Sequence, residues 1–112
     1  MTQDEILLKC KELLKMKFDV RETLEVLTYD ISKFWSWGSK QLCNIDNKGL
    51  IFKVNGHHHK GWVLITLDWT DTYTVHIISN SGVVLDTYEM VYFDDLFNRI
   101  DVRIEKIPEY VR

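Results

Sequence analysis

The sequence predicts an α+β fold with two N-terminal helices, a five-stranded antiparallel meander and one C-terminal helix. Three observations carry this. Residues 1–38 show apolar positions at helical spacing, and residues 39–92 alternate short β-rich runs with turn residues. Residues 93–107 then return to helical spacing and stop before Pro108. At 112 residues, 46% hydrophobic and 28% charged, the chain has the length and composition of one globular domain, 1–112.

The first helix is signalled by Thr2 with Glu5 three residues later, a capping-box spacing, followed by Ile6, Leu7, Cys10, Leu13 and Leu14 on one face. A second helix starts at Asp19 as N-cap, with Glu22 at its third position. Its stripe is Val20, Leu24, Leu27, Ile31 and Phe34, and Gly38 supplies the stop. A tight turn between the two makes 1–38 a helical hairpin. Cys10 and Cys43 fall on apolar faces of different elements and read as small core hydrophobes.

Four turn sequences, Asp46-Asn47-Lys48-Gly49, Asn55-Gly56, Trp69-Thr70-Asp71-Thr72 and Asn80-Ser81-Gly82, divide the next stretch into strands at 40–45, 50–54, 59–69, 73–79 and 83–91. Such short connections join antiparallel neighbours. Taking Asn55-Gly56 as a two-residue hairpin turn pairs Val54 with His57 and Phe52 with His59. Carried through the sheet, this puts Leu50, Phe52, Val54, Val63, Ile65, Leu67, Trp69, Tyr73, Val75, Ile77, Val83, Leu85 and Thr87 on a core face beneath the helices. The last helix opens at Asp94-Asp95, with Phe93, Leu96, Ile100, Ile104 and Ile107 on its apolar side.

The opposite sheet face mixes polar groups with Trp62, Leu64, Ile78, Tyr88 and Met90. A contiguous apolar patch of this kind marks a partner site unless one of the chain's own segments covers it. The functional expectation is therefore a small non-enzymatic accessory module that binds a protein partner, or a second copy of itself, through those five residues. The net charge of -3 is unevenly distributed. Residues 33–60 carry Lys33, Lys40, Lys48, Lys53 and Lys60 against Asp46, a balance of +4. Residues 61–101 carry Asp68, Asp71, Asp86, Glu89, Asp94, Asp95 and Asp101 against Arg99, a balance of -6. This separation favours electrostatically guided docking.

Two alternatives come from other chemistry. Trp35 and Trp37 precede Lys40, Lys53 and Lys60, and aromatic groups interleaved with cations stack on and neutralise single-stranded nucleic acid. The acidity of the whole chain weighs against that use of segment 33–60. Among the histidines, His57 and His59 sit at i and i+2 and reach one side of a strand, a geometric pair for zinc. A site needs at least a third ligand, which the register does not supply. His76 is expected opposite Asp86, an arrangement that orients an imidazole as a general base but also occurs as ordinary cross-strand pairing.

There is no glycine-rich phosphate loop, paired-cysteine motif or serine elbow, so no cofactor, metal or enzymatic activity is expected. Apolar runs are far shorter than a membrane helix, and the acidic start Thr2-Gln3-Asp4-Glu5 is unlike a basic leader, which together predict a cytoplasmic protein. In size, acidity and lack of catalytic motifs the chain resembles small accessory proteins of bacteria.

Overall fold

A computed structural model describes residues 3–14, 16–29, 31–56, 58–68 and 71–104. The order of elements is α1 (Gln3–Cys10), a 3-10 turn (Lys11–Leu13), α2 (Val20–Leu27), α3 (Ile31–Ser36), β1 (Lys40–Ile45), β2 (Gly49–Asn55), β3 (Lys60–Leu67), β4 (Tyr73–Ser79), β5 (Val84–Val91) and α4 (Leu96–Ile104). The sheet is the expected antiparallel meander, in the order β1-β2-β3-β4-β5. The chain is α+β.

Asp19 caps α2, its side chain accepting from the Glu22 backbone N–H at 3.1 Å. The expected single second helix is divided into α2 and α3, so the stripe is broken: Phe34 reaches the core while Ile31 stays exposed. Past α3 the chain turns at Gly38, whose φ of +67° suits glycine, and the Trp37 carbonyl accepts from Asn55 N–H at 2.8 Å.

The helices divide between the two faces of the sheet, which replaces the expected helical hairpin and single core. On one face, Val20, Leu27 and Phe34 of α2 and α3 and Leu96, Ile100 and Ile104 of α4 pack against Phe52, Val54, Val63, Ile65, Val75 and Ile77. On the other, Ile6 and Cys10 of α1 pack against Ile45, Ile51, Trp62, Leu64 and Ile78, with Cys43 at the margin. Both cysteines are free thiols.

Two strand registers differ from expectation, with opposite consequences. Asn55 pairs with Lys60 and Gly56 N–H bonds the His59 C=O at 2.9 Å, so the β2–β3 connection is longer than the expected two residues and Val54 stands opposite Gly61. Each β2 residue therefore meets a β3 residue four positions later than expected. Sides repeat every two residues, so the face assignments survive. The β4–β5 pair slips by one: His76 stands opposite Thr87, Ile77 opposite Asp86 and Val75 opposite Tyr88, with irregularities on either side. That slip turns Tyr88 and Asp86 towards α4 and Thr87 away from it; Leu85, at the irregularity, and Val83, where Ile78 still meets Val84 in the expected register, are both exposed. At the other end of β5, Met90 takes a φ of +55°.

The last helix starts at Leu96, with Tyr92 to Asp95 forming a turn before it. Phe93, expected in its apolar stripe, is half exposed. Trp69, Ile107 and the Thr2 cap lie outside the described residues.

Candidate functional site

The five residues expected to form a partner surface are separated by the fold. Trp62 is 1% exposed, and Leu64 and Ile78 are equally enclosed beneath α1, so this patch is an intramolecular contact. The Trp62 ring lies under Lys53, whose Nζ is 5.5 Å from the ring centroid. Tyr88 packs on the other face because of the β5 slip. Met90 alone, 58% exposed, remains on the surface.

The His76–Asp86 pair does not form. His76 Nδ1 lies 3.3 Å from Thr87 Oγ1, while the Asp86 carboxylate accepts from Arg103 of α4 at 3.0 Å. His57 lies outside the described residues. His59 is buried on the α4 side, close to where a side chain on Gly61 would project, and its Nε2 has no hydrogen-bond partner. Burial lowers its pKa, with the Trp62 backbone acting in the opposite direction. Among the described residues, no three metal-ligating side chains converge.

The basic–aromatic segment is also divided. Trp37 is fully buried and stacks near Phe52 and Phe97, its indole N–H bonded to Asp101 at 2.9 Å. Trp35 is 62% exposed. Lys40 stands opposite Lys53, and Lys60 stands opposite Asn55, so these cations share one end of the sheet.

The charge asymmetry along the chain is kept in part in space, although Lys48 in the β1–β2 turn sits at the same end as Asp68, and Asp101, bonded to Trp37, at the same end as Lys60. Lys60 opens β3 and Asp68 follows its last residue, about 25 Å away at strand rise. At the acidic end a groove has formed that sequence reading did not locate. A cavity of about 640 Å³ between α2 and the start of α4 is bounded by Glu22, Glu25 and Asp94 and walled by Tyr29, Phe93 and Phe97. A second cavity of about 320 Å³ shares Glu22 and Phe93 and adds Asp19, Asp71 and Phe18. No lysine or arginine lines either cavity among the described residues. The sequence held two partial signals for it: the acidic excess of 61–101, and Asp19, Glu22 and Glu25 recurring every three residues along α2.

Two other surface features adjoin α4 and β5. A cleft of about 660 Å³ contains His58, Tyr88, Asn98, Arg99 and Arg103. Both arginines are already engaged, Arg99 with Asp95 at 3.1 Å and Arg103 with Asp86, which offsets their charge locally. The outer strand β5 exposes Val84, Leu85 and Met90, with Val83 just before it, and pairs only with β4 among the described residues.

No helix of the described residues is long and apolar enough to cross a membrane. No protein-family model, curated protein or solved structure matches the chain.

Proposed function

We propose that this protein is a non-enzymatic interaction module that associates with a second copy of itself along β5. The observation that carries this reading is the exposed apolar series Val84, Leu85 and Met90 on an outer strand, with exposed Val83 just before it. Both broad faces of the sheet are occupied by the chain's own helices, and of the exposed apolar side chains that remain, Val83, Val84 and Leu85 are consecutive at this edge. An outer strand also presents unpaired backbone groups that a second strand can satisfy. Two copies related by a two-fold axis would bring the same apolar residues together from both sides, a self-complementary contact. The loss of the His76–Asp86 pairing removes the acid–base arrangement that favoured an enzyme.

Sedimentation velocity across a hundredfold concentration range tests the proposal. A rise in mass with concentration that Val84→Lys abolishes supports it. A monomer at all concentrations, or association untouched by Val84→Lys and Leu85→Glu, rejects it.

A further inference from the structure

The groove at the acidic end of the sheet is separate from the β5 apolar series and has its own chemistry. Its lining combines aromatic and aliphatic side chains with the carboxylates Asp19, Glu22, Glu25, Asp71 and Asp94, and Glu22 and Phe93 belong to both of its cavities. Tyr29 is 93% exposed and Phe93 49% exposed, so two ring faces are open to a ligand. Like charges gathered around an apolar recess repel one another, and a cationic occupant relieves that repulsion while covering the rings. Tyr73 lines the smaller recess; burial is the main cause that raises its phenol pKa, its bond to Thr23 opposes this, and the Glu22, Asp71 and Asp19 carboxylates add smaller upward contributions.

We propose that this groove binds an arginine-bearing segment of a partner protein. A guanidinium group is planar, stacks on aromatic faces and donates in a fork to carboxylates, and here both kinds of group meet around Phe93 and Glu22. An ammonium group meets the charge but stacks less well. Two adjoining recesses of about 640 and 320 Å³ have room for more than one side chain, which suits a peptide better than a single small cation. The carboxylates at the rim also steer a basic segment during approach, so binding weakens as salt screens them.

The test is fluorescence anisotropy of labelled hexa-arginine, hexa-lysine and hexa-glutamate peptides, with spermidine as competitor, against the whole protein. The expected order is arginine over lysine, with no response to glutamate. Phe93→Ala should weaken arginine binding about fivefold, and the Glu22→Gln/Glu25→Gln double variant roughly tenfold at low salt. Glu89→Gln, which removes one charge on β5 against two in the groove, should leave it unaltered. Circular dichroism confirms that each variant is folded. Equal effects of Glu89→Gln and the groove variants, equal binding of both cationic peptides, or full competition by spermidine at matched charge would each overturn the proposal. Val84→Lys should leave peptide binding intact, so failure of self-association and failure of this groove are read separately.

Discussion

Trp37 donates its indole N–H to the buried carboxylate of Asp101 at 2.9 Å, tying the end of the N-terminal helical region to α4 inside the larger core. The bond completes a cluster in which Trp37 also lies 5.5 Å from Phe34 and 5.2 Å from Phe97, centroid to centroid. A carboxylate enclosed among apolar groups is tolerated when a donor satisfies it, and an indole buried without an acceptor carries a desolvation penalty. Asp101→Ala removes the acceptor and strands the Trp37 N–H, so urea denaturation should show a loss of about 2 kcal/mol. Asp101→Asn keeps an acceptor oxygen and should lose markedly less. Equal losses in the two variants would mean that the bond contributes little.

The smaller core makes an independent prediction. Ile6 is fully buried where α1 crosses Ile51, Trp62 and Leu64. Ile6→Ala removes apolar contact and leaves a cavity, at an expected cost of about 3 kcal/mol. The same variant should make Trp62 more accessible to acrylamide quenching. Stability within about 0.5 kcal/mol of the parent, on the scale of a surface substitution, would show that α1 contributes little to covering the second face.

Sequence dictates structure directly where the chemistry is local, and less directly where two strands are placed against each other. Asp19 as a cap, Gly38 as a stop and the turn residues between strands each have a short-range physical cause. The error at Asn55-Gly56 was harmless because a displacement by an even number of residues keeps each side chain on its face. The β5 slip was an odd displacement, and it exchanged the expected His76–Asp86 pair for His76–Thr87 and Asp86–Arg103. Irregular pairing at Leu85 and the positive φ at Met90 lack the glycine that commonly marks such a kink. Cover of both faces was partly legible: Trp62-Val63-Leu64-Ile65 is apolar without alternation, as in a strand buried on both sides. The groove was less legible, since its carboxylates come from α2, the β3–β4 loop and the turn before α4, which only the fold brings together.

The two thiols should differ sharply in reactivity. Cys10 is buried against the underside of the sheet, and burial pushes its pKa up to about 11. At pH 8 its reactive thiolate is roughly one part in a thousand, behind a steric barrier as well. Cys43 is only half buried. Treatment of the native protein with a disulfide reagent such as DTNB at pH 8 should release about one equivalent promptly. The second should appear only on adding denaturant. Prompt reaction of both thiols would contradict the packing of α1, and Cys43→Ser identifies which one reacts first.

His59 should give the fold a pH dependence of definite sign. Its imidazole is enclosed on the α4 side with Nε2 unpartnered, and burial, with a smaller contribution from the Arg103 cation, holds its pKa below the ordinary 6.5. Facing it, Asp86 acts in the opposite direction and is itself held by Arg103. A depressed imidazole pKa means that the unfolded chain takes up the proton first. Stability should therefore be unaffected by this group above the unfolded value. It should fall as pH drops below about 6.5 and level off below the lower folded value. His59→Gln removes the titration while keeping a polar side chain of similar reach. The difference in urea midpoint between pH 8 and pH 5 should accordingly be smaller in the variant than in the parent, the carboxylates contributing equally to both. An unchanged difference would show that the His59 ring is open to water in the folded protein.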